Sequence, residues 1–262
     1  MFRNERGIDV EGQWVCSSAC FLAVAQELIA SLRESRAPVA STRTRLPLGL
    51  VMVSRGEVSS GQLRVALEYQ QKCRKGKRIG DVFKELGIAD DNQILRALAE
   101  QWSIPIFPLH DAEASVIPER LPMQLLETYR TLPVHFAPAG RVLLLGFVDT
   151  LHRSVLYAVE QMLGCRTEAC LVQPTFYSRQ LERLRRNAEN SAIVIETRTT
   201  VIEASQIALN YAQQLEAASA RMVSCGQYLW IRLDPNDFHL LLRFPAATSA
   251  RALSPEQNSV RA

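Results

Sequence analysis

The sequence has no G-x-x-x-x-G-K-[ST] loop, although twelve glycines are available to build one. Such a loop cradles phosphates and brings a lysine to them, so no P-loop motor is expected. The six cysteines (16, 20, 73, 165, 170 and 225) contain no C-x-x-C, and the four histidines do not gather near them. No zinc or other metal site is expected, and the thiols read as small buried hydrophobes in a reducing cytoplasm. His110, His135, His152 and His239 stand singly, and Ser54, Ser59 and Ser60 have no His or Asp constellation. With no nucleophile–base set the chain is not expected to be an enzyme. Charge of one sign is scarce too. Thirty Lys and Arg against 27 Asp and Glu leave +3, too little to argue for a nucleic-acid polymer. Long apolar runs are missing: "WVCSSACFLAVAQELIA" (14–30) breaks at Gln26-Glu27, short of the roughly 20 residues that span a bilayer. Glu5, Asp9 and Glu11 precede it, the wrong flank for an export signal. It reads as a short amphipathic helix.

What is present is ordinary globular material, 47% apolar and 22% charged over 262 residues, enough for one large or two small domains. Composition divides it. Residues 1–46 hold the N-terminal helix and a linker, "SLRESRAPVASTRTRL" (31–46), rich in Arg, Ser, Thr and Pro. Residues 47–187 form the main domain and 190–244 a small α/β unit, and 245–262 read as a disordered tail.

The strongest internal signal is a repeat. "PLGLVMVSRGEVSSGQLRVALEYQ" (47–70) aligns without gaps on "RIGDVFKELGIADDNQILRALAEQ" (78–101), 31 residues on. Gly49 matches Gly80, Gly56 matches Gly87, Gln62 matches Gln93 and Gln70 matches Gln101. Leu48 faces Ile79, Met52 faces Phe83, Leu63 faces Ile94 and Leu67 faces Leu98. Such a register is a structural repeat. Each copy reads as a short helix ended by its second glycine in the left-handed conformation, then a second helix opened by a capping box. The boxes are Ser59…Gln62 and Asp90…Gln93, with Val58 and Ile88 placed to staple the turns. The first glycines are not needed for helix ends. They leave bare backbone in an opening turn, where a ligand can approach.

Beyond the repeats, "IPIFPL" (104–109) reads as a strand and "PERLPMQLLETYR" (118–130) as a helix. A hairpin follows at 132–149, turning at Pro138-Ala139-Gly140. Then come an amphipathic helix (151–164), a strand (167–172) and a basic-faced helix (175–189). The small unit reads as a strand (192–196), a helix (199–220) and a hairpin (228–244) around Asp234-Pro235-Asn236-Asp237. The expected class is α+β: a helical tandem-repeat subdomain (47–101) beside a mixed-sheet α/β subdomain (102–187), with a helix-and-hairpin unit after it.

The doubled "R-L-G … G … L … L … Q" pattern resembles the N-terminal domain of type II secretion and type IV pilus assembly ATPases, the MshEN or GspE N-terminal domain. The resemblance covers roughly 45–185, and the unit at 190–244 resembles the small domain that precedes the ATPase core in those motors. In nucleotide-binding members paired motifs cradle cyclic di-GMP. Carried onto this chain, the resemblance implies ligand contacts from Leu48, Gly49, Met52, Leu63, Leu67 and Gln70 of copy one. From copy two it implies Arg78, Ile79, Gly80, Phe83, Ile94, Leu98 and Gln101. Asp81 is added on chemical grounds, as an acceptor for a guanine edge.

Copy one departs from the pattern. Pro47 stands at the leading Arg position, Arg45 lies two residues early, and Glu57 takes a place that is usually apolar. The spacer "QKCRKGK" (71–77) is longer than the family's and basic. Losing one charged contact lowers affinity roughly ten- to hundredfold or more. The expectation is a non-enzymatic bacterial regulator or adaptor in the cytoplasm, at the periphery of an inner-membrane machine. It either binds cyclic di-GMP or docks without ligand on a secretion, pilus or polysaccharide-export assembly.

Overall fold

The computed structural model describes residues 7–34, 45–73, 76–108, 121–187, 192–196 and 198–244. In chain order the elements begin with β1 (Ile8–Val10), β2 (Gln13–Val15), α1 (Ser18–Glu34), α2 (Leu48–Ser54), α3 (Ser60–Cys73), α4 (Ile79–Glu85) and α5 (Asp91–Trp102). There follow α6 (Met123–Thr128), β3 (Thr131–Ala137), β4 (Val142–Phe147), α7 (Arg153–Leu163), β5 (Arg166–Leu171) and α8 (Pro174–Asn187). Last come β6 (Ala192–Ile195), α9 (Val201–Gln214), β7 (Ser219–Cys225), β8 (Tyr228–Asp234) and β9 (Phe238–Arg243). The class is α+β, with a six-stranded and a three-stranded mixed sheet among the described residues.

The tandem copies are α2–α3 and α4–α5, and their turns close alike. Gly56 and Gly87 lie at φ +70° and +63°. The amides of Glu57 and Val58 reach back to the Met52 carbonyl, and those of Ile88 and Ala89 to Phe83. Both capping boxes form, Ser59 Oγ accepting from Gln62 N at 3.2 Å and Asp90 Oδ1 from Gln93 N at 2.8 Å. Val58 is buried under its turn, and its counterpart by register is buried Ala89 rather than Ile88. Glu57, opposite Ile88, is accommodated by ion pairs to Arg55 (3.2 Å) and Arg96 (3.5 Å).

The three-stranded sheet runs β3-β4-β5, with β3 antiparallel and β5 parallel to β4. The expected strand at 104–109 is reduced to one bridge, Ile106 to Leu171, with Phe107 N donating to Leu171 O and Leu171 N to Pro105 O at 2.8 Å each. Pro105 and Pro108 have no N–H to extend that ladder. The expected helix at 118–130 survives as α6, which starts after Pro122; positions 109–120 lie outside the described residues.

The six-stranded sheet runs β2-β1-β7-β8-β9-β6. It contains β1 and β2 from residues 1–46, where a helix and a linker are expected from the sequence. β1 pairs parallel with β7 through Asp9–Ser219 and Val10–Ala220. On one face α1 and α9 share a core of Phe21, Ala25, Ile29, Ala204 and Ala208. The expected helix at 199–220 ends at Gln214, and Ser219–Ala220 open β7, a strand the sequence reading missed. On the other face Trp230, Val223 and Leu241 join Val155, Ala158 and Met162 of α7 in a second core. Tyr129 after α6 locks this junction. Its hydroxyl donates to Cys225 O at 2.9 Å and accepts from Gln227 N at 2.7 Å. The linker residues 35–44 and the tail 245–262 lie outside the described residues.

The cysteines only partly match expectation. Cys165, Cys170 and Cys225 are buried, and burial pushes the Cys170 thiol up to about 12. Cys16 and Cys20 are exposed at the start of α1, where Ser17 and Cys16 hold the Cys20 thiol below its ordinary value.

Candidate functional site

A cavity of about 230 Å³ opens between copy two and the α/β layer. Its floor and one wall come from the start of α4 (Arg78, Ile79, Gly80, Asp81, Lys84) and from α5 (Asp91, Ile94, Leu95, Leu98, Gln101, Trp102). The capping box at Asp90 sets the start of α5, which turns Ile94 and Leu98, four residues apart, to one face. The opposite wall is Arg130, Val148, Asp149 and Thr150, with Pro174 at the start of α8. Copy one adds only Leu48.

Charges line the rim in pairs. Arg78 forms an ion pair with Asp149, which Arg130 also meets at 3.4 Å. Lys84 meets Asp91 at 3.1 Å and Asp81 at 3.4 Å. Burial opposes the Lys84 charge, but the Asp91 hydrogen bond and both carboxylates outweigh it, so its pKa is raised. Arg130 stands at φ +46°, a conformation that costs a non-glycine residue about 1–2 kcal/mol. His152, the N-cap of α7, is pushed below the ordinary imidazole value by burial and by Arg78, against Asp149.

Of the residues expected from sequence, Leu48, Arg78, Ile79, Gly80, Asp81, Ile94, Leu98 and Gln101 are brought together around the cavity. Gly49, Met52, Leu63, Leu67, Gln70 and Phe83 do not line it. Met52 and Phe83 are fully buried between the helices. Gly49 is a packing glycine, since a Cβ there would lie 2.5 Å from Leu63 Cδ1. Leu67 stands 42% exposed where its counterpart Leu98 is buried. The two closing glutamines bind backbone: Gln70 donates to the Lys77 carbonyl and Gln101 to the Leu46 carbonyl at 2.7 Å.

Sequence reasoning missed Lys84, Asp91, Leu95, Trp102, Arg130, Val148, Asp149, Thr150 and Pro174. Lys84, Asp91 and Leu95 were within reach, being one turn from residues already singled out. The 130 and 148–150 positions come from another subdomain, and no spacing points to them. Trp102 carries the guanidinium of Arg45 over its ring at 3.9 Å, and its buried Nε1 has no hydrogen-bond partner among the described residues. Among those residues no metal-binding group occurs and no helix is long and apolar enough to cross a membrane.

The structure of MshE with cdg is 28% identical over 53% of this chain and 99% of that one, with a TM-score of 0.42. The N-terminal domain of XpsE, in one crystal form, is 15% identical over 52% of this chain and 92% of that one, at a TM-score of 0.41. Each of these two matches covers about half of this chain. No protein-family model and no curated protein matches the chain.

Proposed function

We propose that the chain is a non-enzymatic regulatory module whose copy-two cavity binds a guanine nucleotide, with cyclic di-GMP as the ligand. The observation that carries this reading is the Arg78–Asp149 pair facing a bed of Ile79, Ile94, Leu98 and Val148. A guanine presents O6 and N7 acceptors to a guanidinium. Its N1–H and N2–H₂ donors suit a carboxylate, and its faces suit aliphatic walls. Arg78 and Asp149 offer both halves of that pattern, while Lys84 adds a cation for phosphate. The site works in the cytoplasm, where such a messenger is made.

Titration calorimetry of the full chain against cyclic di-GMP tests this. Binding is expected, weakened roughly tenfold or more in Arg78→Ala, which removes a charged hydrogen bond. No heat at high micromolar ligand removes the reading.

A second reading has its own support. Leu46, just ahead of copy one, and Leu50 and Val65 within it are 63%, 48% and 54% exposed. Apolar side chains so displayed suit a protein partner, here a component of a secretion, pilus or polysaccharide-export machine. Co-purification with an envelope component, lost in Leu50→Asp, supports that role; retention by the variant argues against it.

A further inference from the structure

The two copies share one register but not one environment. Copy two faces the α/β layer across the cavity, whereas copy one contributes Leu48 alone. Position 47 is Pro where copy two has Arg78, so copy one brings no cation from that place. Gln101 holds the Leu46 carbonyl, and Arg45 lies on the Trp102 ring. The 45–47 segment is thereby fastened to the last two residues of α5, both of which line the cavity. The remaining volume, about 230 Å³, is below the roughly 300–1,000 Å³ that holds a whole drug-sized ligand.

Resting on the nucleotide reading above, we infer that the cavity takes one guanine nucleotide unit. A mononucleotide such as GMP fills it, and a cyclic dinucleotide enters with one half while the other stays in solvent. The base is read by Arg78 and Asp149, and its partner wall is Val148, supplied by the α/β layer instead of copy one. The symmetric clamp implied by a doubled motif is replaced by a one-sided pocket.

The test is calorimetry of the full chain with GMP, AMP and cyclic di-GMP at one salt concentration. GMP and cyclic di-GMP are expected to bind within about tenfold of each other, with AMP at least tenfold weaker than GMP. Arg78→Ala should weaken both guanylates by the same factor, and Leu67→Ala, at an exposed copy-one position, should change neither. Cyclic di-GMP binding a hundredfold or more above GMP, or falling in Leu67→Ala, overturns the one-sided pocket but leaves the nucleotide reading standing. AMP equal to GMP overturns base selection by Arg78 and Asp149. Absence of all binding overturns both readings.

Discussion

The side-chain amide of Gln101 donates to the carbonyl of Leu46, and the same bond recurs 31 residues away between Gln70 and Lys77. Each copy thus ends in a glutamine that grips the residue just ahead of the other copy. Gln101→Ala and Gln70→Ala are each expected to destabilise the fold by about 0.5–1.5 kcal/mol, the net worth of one hydrogen bond. Urea midpoints of the two single variants and the double check this. A loss under about 0.3 kcal/mol in both singles would deny the bonds a structural role.

The first glycines of the two copies should respond oppositely to a methyl group. In Gly49→Ala the new Cβ meets Leu63 Cδ1 at 2.5 Å, and the overpacking is expected to cost about 1–3 kcal/mol. In Gly80→Ala the nearest atoms, on Ile94 and Leu48, are 3.4 Å away, and a helical alanine is favoured by about 1 kcal/mol over glycine. That variant should melt no lower than the parent chain and lose nucleotide binding, because Gly80 lines the cavity that the methyl narrows. Thermal melts read beside calorimetry separate the two effects.

At the junction of the two sheets, Tyr129→Phe removes a hydroxyl that serves both Cys225 O and Gln227 N. Leaving the buried Cys225 carbonyl and the half-buried Gln227 amide without this partner costs about 1–3 kcal/mol. Gly226→Ala should do more harm, since Gly226 sits at φ +52° with the Tyr129 ring against the place a Cβ would take. Chemical denaturation ranks the variants; a milder effect from Gly226→Ala than from Tyr129→Phe would contradict this packing.

His152 makes stability depend on pH. Its folded pKa is lowered by burial, so the unfolded chain binds its proton more readily. The contribution is complete above the unfolded value of about 6.5 and is lost as pH falls through the folded value. His152→Gln should flatten the decline in urea midpoint between pH 7.5 and 5.5. An unchanged slope would show that other groups carry it.

The elements of the repeat could be read in advance because their signals are local. Gly56 and Gly87 mark helix ends, and Ser59…Gln62 and Asp90…Gln93 mark helix starts, through contacts within a few residues. The cavity's second wall could not. Asp149 reaches Arg78, and Arg130 meets the same carboxylate, only because the α/β layer packs beside copy two, β5 against α5, a relation carried by tertiary contacts alone. The equivalence of the copies also misled. Leu67 and Leu98 occupy the same register, yet only Leu98 has another subdomain to pack near, and Leu67 is left exposed. The strands β1 and β2 escaped notice because each has three residues, too few to show an alternating pattern.

The parallel pairing of β1 with β7 joins Asp9 to Ser219. A ribosome must therefore thread out more than two hundred residues before β1 meets the second of its two neighbours. Until then the hairpin of β1 and β2, paired from Ile8–Val15 to Val10–Gln13, presents the free β1 edge to mispairing with another nascent chain. Closing so wide a loop is slow, which makes the β1–β7 pairing a late step in completing the six-stranded sheet.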